Sequence, residues 1–169
     1  MAEKKVFEKF YNTHFDKVYR FVFFRSGGNK ELAEDLVSEI FMKALDHFDG
    51  YDENVSKSAW IMTISKNHLA NHWRDTKKTS PLPEDDVGDE SYTTDAFWLK
   101  SGLSVGRKQA NNAEVYELLA QLEETEAEIV TLHYIIGYNY LEIGAMKNMS
   151  EGAIKVAAHR AIKKLRTLL

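Results

Sequence analysis

Apolar residues recur at helical spacing along most of the chain. Phe7, Phe10, Tyr11, Phe15, Val18, Tyr19 and Val22 follow an i, i+3, i+4, i+7 pattern that predicts a first amphipathic helix. Gly27-Gly28-Asn29 ends it, because Gly and Asn tolerate the left-handed backbone of a helix C-cap. A second helix is predicted from about Lys30 to Phe48. Its inner stripe is Ala33, Leu36, Val37, Ile40, Phe41, Ala44, Leu45 and Phe48, with Glu31, Glu34, Asp35, Glu39 and Asp46 on the other side. A loop from Asp49 to Lys57 follows, and Ser58, a good N-cap, opens a third helix reaching about Thr76.

The periodicity fades from about Thr79 to Ala113, a stretch rich in Gly, Ser, Thr and Asp that holds the chain's two prolines, Pro81 and Pro83. That composition reads as a linker, although Phe97, Trp98 and Leu99 imply that part of it packs. Helical patterning then resumes. Glu114 to Leu122 is amphipathic, and Thr125 with Glu128 three residues on has the spacing of a capping box opening a helix that ends at Gly137. Asn139 with Glu142 repeats the start signal for a short helix to about Lys147. Asn148-Met149 is a tight turn, and Ser150 caps a last helix to the end. No strand pattern survives. The expected fold is all-α: two small helical domains, residues 1–79 and 114–169, joined by a linker at 80–113.

Composition narrows the class. Hydrophobic residues at 44% and charged residues at 28% belong to a soluble globular chain. No apolar run approaches the ~20 residues that span a bilayer, and Met1 to Lys9 has no signal-peptide apolar core. Without Cys there is neither a disulfide framework nor a thiolate metal site. The expected location is cytoplasmic. A net charge of −4 argues weakly against a nucleic-acid binder, but the charge is unevenly spread. From Lys147 onward Lys147, Lys155, Arg160, Lys163, Lys164 and Arg166 face one acid, Glu151, whereas Glu84, Asp85, Asp86, Asp89 and Glu90 crowd the linker. Binding surfaces are local, so a basic patch can serve a nucleic acid on an acidic protein.

A short helix, a turn and a longer helix form a helix-turn-helix. Ile143 and Met146 can meet Ile154, Ala158, Ala161 and Leu165, and the small Gly144 and Ala145 allow a close crossing. Glu151, Lys155, His159, Lys163 and Arg166 remain outside. Residues near the start of such a helix enter a major groove, and later Lys and Arg meet phosphates. A solvated basic face on a helical bundle is the bland alternative. Other chemistry is weakly signalled. His68 and His72 share a helix face, but Leu69 stands where a zinc peptidase motif needs Glu, so no metal is expected. Asp46, His47 and Asp49 straddle a helix end. Phosphate-binding, dinucleotide and nucleophile-elbow signatures are missing, so neither an enzyme nor a cofactor is expected.

These motifs resemble bacterial RNA polymerase sigma factors of the extracytoplasmic-function (ECF) group, which keep only the domains called region two and region four. The region-two likeness lies in Ala33-Glu34-Asp35-Leu36-Val37 with Glu39 and Phe41, then Ala59-Trp60-Ile61 with Ile64 and Asn67. The region-four likeness lies in Gly137, Tyr140, Glu142-Ile143, Ser150 with Gly152, Ile154-Lys155, His159-Arg160-Ala161 and Lys164-Leu165-Arg166. The resemblance implies that core RNA polymerase is bound through its β′ clamp helices by Asp35, Glu39 and Met42, and through its β flap by region four. It implies that Asn54, Ser56 and Lys57, in the loop from Tyr51 to Ser58, take up the melted minus-ten element of promoter DNA, with Lys66, Asn67, Asn71 and Arg74 on backbone phosphates. Ser150, Glu151, Lys155, His159, Arg160 and Lys163 would read the minus-thirty-five element. An anti-sigma factor is a further implied partner, and the acidic linker would thread toward the polymerase active site. The chain departs from the family pattern at Lys57 and Ser58, where an aromatic and a basic residue are usual. It departs again at Val156 and Ala157, where a small polar residue and Arg are common. Two other readings stay open: a helix-turn-helix regulator that binds DNA alone, and a sigma-like adaptor without DNA contact.

Overall fold

The computed structural model describes residues 2–79 and 113–169, all of them in helices or the turns between. The linker expectation, including its aromatic Phe97 and Trp98, lies outside the described residues. Helix α1 spans Ala2–Arg25, α2 Lys30–Asp46 and α3 Lys57–Thr79, with a 3-10 turn at Phe48–Gly50 between the last two. In the second half α4 is Ala113–Ala120 and α5 is Glu124–Val130, running on into a π-helical stretch at Thr131–Ile136. Helix α6 is Tyr140–Lys147 and α7 is Glu151–Leu168.

Several boundaries differ from the sequence reading for local reasons. Gly27 and Gly28 take φ of 67° and 80° and close α1, but Asn29 belongs to the next helix. Its Oδ1 accepts the Leu32 amide at 3.1 Å as an N-cap. Helix α2 stops at Asp46, so the inner stripe ends at Ala44; Leu45 is 54% exposed. Phe48 folds back through the 3-10 turn, and its ring meets Phe7 edge-on at 5.1 Å. Ser56, not Ser58, caps α3, its Oγ accepting the Ala59 amide at 3.4 Å. Thr125 and Glu128 do not form a capping box. Glu123 occupies the cap position of α5 with no side-chain bond, and Glu128 is buried instead.

The two halves share one core. Phe10, Val18, Phe21 and Val22 of α1, Leu36, Ile40 and Phe41 of α2, and Ile61, Met62 and Leu69 of α3 continue into Ile129, Leu132, Ile136, Tyr138, Ile143, Ile154 and Ala158. A second cluster joins Phe24 of α1 to Tyr116, Leu119, Leu122, Ala127, Val130 and Ala161. Each Val, Leu, Ile, Met or Phe among them gains about 1.5–3 kcal/mol on full burial, so the seam between the halves is apolar and stabilising. Tyr116 stacks on Phe24 with ring centres 4.7 Å apart, and its hydroxyl donates to the Phe24 carbonyl. Burial pushes that hydroxyl up to about 12, so it remains a donor.

Candidate nucleic-acid interface

The helix-turn-helix is built almost entirely from short-range chemistry. Asn139 Oδ1 accepts the Glu142 amide at 2.8 Å, and Glu142 Oε2 accepts the Asn139 amide at 3.0 Å, a complete capping box for α6. Asn148 then turns the chain in the left-handed conformation at φ 55°. A Cβ on Gly144 would lie 2.6 Å from the Met149 carbonyl oxygen, so only Gly lets the turn press against α6. Ala145 is exposed and takes no part in that approach. Ser150 Oγ accepts the Ala153 amide at 3.2 Å and starts α7. Ile143, Ile154 and Ala158 are wholly buried where the two helices cross.

On the opposite side of α7, Glu151, Lys155, His159, Arg160 and Lys163 are all exposed. Lys155 Nζ lies 3.7 Å from Glu151 Oε1, a loose pair that leaves both available to solvent. The surface is a positively charged stripe on a helix held from behind, the arrangement a DNA reader needs.

The loop before α3 is equally well made. Tyr51 packs edge-on against Trp60 at 5.1 Å and its hydroxyl donates to the Val55 carbonyl. Asp52 Oδ1 accepts both the Asn54 amide, at 2.9 Å, and its side-chain Nδ2, at 3.0 Å. Trp60, half-buried, also meets Phe10 and Phe48, so an aromatic wall backs the loop. Asn54 and Lys57 are exposed, and Ser56 is spent partly on capping. Farther along α3, Asn67, Asn71 and Arg74 lie exposed at i, i+4 and i+7. On α2, Asp35, Glu39 and Met42 are exposed, Met42 at 67%. Glu39 Oε2 is 2.6 Å from His68 Nε2. Burial lowers the His68 pKa even though Glu39 opposes it.

Lys66 does not share the open face of Asn67 and Asn71. Its ammonium group pairs with Glu128 of α5, which pairs also with Lys147 at the end of α6. Burial alone would raise the Glu128 carboxyl; the two flanking cations outweigh it and hold the pKa below the ordinary value. Nearby, Glu142 accepts from Ser58 Oγ at 3.4 Å and lies 3.6 Å from Lys17 Nζ. Lys17 also sits 4.8 Å over the Tyr138 ring. These bonds join the two halves around a groove of about 670 Å³ lined by Ser56, Leu141, Glu142, Gly144, Ala145 and the turn from Asn148 to Glu151. Sequence reasoning missed Glu128 and Glu142 as bridging residues. The one cue was a carboxylate set among Ala127, Ile129 and Val130, where burial demands a partner but names none.

The description Sigma-70 region 2 matches residues 10–79, and Sigma-70, region 4 matches residues 112–165. The RNA polymerase sigma factor CarQ of Myxococcus xanthus is 30% identical over 165 residues, covering 96% of this chain and 88% of CarQ. This chain belongs to the ECF sigma factors. Another relative, the ECF sigma factor BldN of Streptomyces coelicolor, is 29% identical over 99% of this chain, which spans 62% of BldN's length. Among solved structures, the sigma factor RpoE of Bartonella quintana, crystallised with the anti-sigma factor NepR, superposes with a TM-score of 0.59. That match covers 97% of this chain and 96% of RpoE at 20% identity, a likeness of fold. The region 2 match runs from within α1 to the end of α3, and the region 4 match runs from the start of α4 into α7.

Proposed function

We propose that this sigma factor binds core RNA polymerase, directs it to specific promoters and promotes their melting, using a region-two module at 1–79, a linker at 80–113 and a region-four module at 114–169. Asp35, Glu39 and Met42 on the open side of α2 dock on the β′ clamp helices, while region four sits on the β flap. Asn54, Ser56 and Lys57 take up the unstacked minus-ten strand in front of the Tyr51–Trp60 wall, where an extruded base finds aromatic and hydrogen-bonding groups. Asn67, Asn71 and Arg74 hold backbone phosphates, joined by Lys66 once it leaves Glu128. Ser150, Glu151, Lys155, His159, Arg160 and Lys163 present α7 to the minus-thirty-five duplex. The protein works in the cytoplasm, on the nucleoid, and an anti-sigma factor is its expected inhibitor.

The observation that carries this reading is one chain holding both a capped helix-turn-helix with a basic outer face and an aromatic-backed loop beside α3. In the closed arrangement Ser56 of the loop and the turn before α7 line the same groove, so the minus-ten loop and the start of the recognition helix lie side by side. On this reading docking on polymerase parts the two regions, so that the two separated DNA elements can be engaged together. The test is run-off transcription from a library of genomic fragments with purified core polymerase. Adding the protein should bring out a small set of start sites. Asp35→Lys with Glu39→Lys should abolish them by weakening core association, and Lys155→Glu or Arg160→Glu should weaken them at promoters that depend on the upstream element. Unchanged transcription by all these variants would overturn the assignment.

A further inference from the structure

The outer face of α7 changes character along its length. Ile154, Ala158 and Ala161 bury one side of the helix. At 3.6 residues per turn Val156 points directly away from that stripe, and it is 58% exposed. One turn earlier on the same face, Gly152 has open space where a Cβ would stand, with no atom within 4 Å; Ala153 beside it is exposed. One and two turns later the face becomes basic with His159, Arg160 and Lys163, all exposed. The first two turns thus offer an opposing surface the small apolar side chains of Ala153 and Val156 next to a bare backbone, flanked by Glu151 and Lys155, and the later turns are basic.

A single exposed valine needs no explanation on an ordinary surface. Its place gives it one here. Residues at the start of the second helix of a helix-turn-helix meet base edges, while later basic residues meet phosphates. Helix stability does not call for Val at that position, since a β-branched residue is a poorer helix former than Ala. The apolar feature that B-form DNA displays in the major groove is the thymine 5-methyl group. We propose that Val156 reads a thymine methyl in the upstream promoter element, with Gly152 letting the helix backbone approach the base edges. Part of the sequence discrimination is then apolar, beside the polar contacts of Glu151 and Lys155. This inference rests on region four reading duplex DNA.

The experiment uses holoenzyme and a promoter fragment recovered from the genomic transcription library. Each thymine of the protected upstream segment is replaced in turn by deoxyuridine, which lacks the methyl group, and complex formation is measured for wild type, Val156→Ala and Lys155→Ala. One replacement should weaken the wild-type complex by about fourfold, the size expected for one buried methyl-sized contact. Val156→Ala should lose a similar factor on the thymine promoter and nothing more on that deoxyuridine promoter. Lys155→Ala should bind more weakly yet keep the thymine sensitivity. The proposal is overturned if no thymine in the segment matters, if the segment holds none, or if Val156→Ala stays as sensitive as wild type. A holoenzyme that selects no fragment at all would overturn the sigma reading itself.

Discussion

At the residue scale, buried ionisable groups decide how the two halves adhere. Glu128 is 4% exposed and held by Lys66 and Lys147, so removing it takes a shared carboxylate away from two largely buried cations at a closed seam. Glu128→Ala should cost about 3–5 kcal/mol, read from denaturant melts. Because its folded pKa is depressed, the carboxylate's stabilisation is complete above the ordinary value of 4.5 and is lost as pH falls through the lower folded one. Wild type should therefore lose stability below pH 4.5 more steeply than Glu128→Gln. His14, 7% exposed, is kept neutral first by burial and then by Lys17, with Lys57 adding and Glu142 opposing. Its contribution is present in full above 6.5 and fades as pH drops through its lowered value; melts of His14→Gln should flatten that part of the profile. None of this was readable from sequence. Thr125 and Glu128 have the spacing of a cap, and only lysines 62 and 19 residues away in the chain explain why Glu128 turns inward.

At the element scale, what was local was legible. The α6 capping box, the Asn148 turn and the Ser150 cap follow from spacing alone, because each bond closes within five residues. Replacing Ser150 with Ala should cost about 1 kcal/mol of stability and loosen the start of α7, measurable as faster amide exchange there. Gly144→Ala should cost more, about 1–3 kcal/mol, because its Cβ meets rigid backbone at Met149. What escaped the sequence was set by packing. Leu45 fits the stripe of α2 but is 54% exposed in its last turn, while Phe48 is drawn back toward Phe7 and Trp60 through the 3-10 turn that follows. The π-helical turn at Thr131–Ile136, closed by a bond from the Gly137 amide to the Leu132 carbonyl at 3.0 Å, has no compositional signature.

At the scale of the whole molecule, the periodicity separates two helical halves but gives no sign that they close on each other. The continuous core from Phe21 to Ile154 and the Lys66–Glu128–Lys147 bridge do that. On the proposed reading polymerase supplies the energy to part them, and specific promoter affinity is expected of the holoenzyme rather than of the free chain. Dyes placed on α2 and α7 should move apart when core polymerase is added, an energy-transfer measurement on the full chain. The most direct test of the central claim compares a promoter fragment incubated with the free protein, with core polymerase, and with both. Specific retardation and upstream protection are expected only with both together. The same protection produced by the protein alone would contradict the account and mark it as an independent DNA-binding regulator.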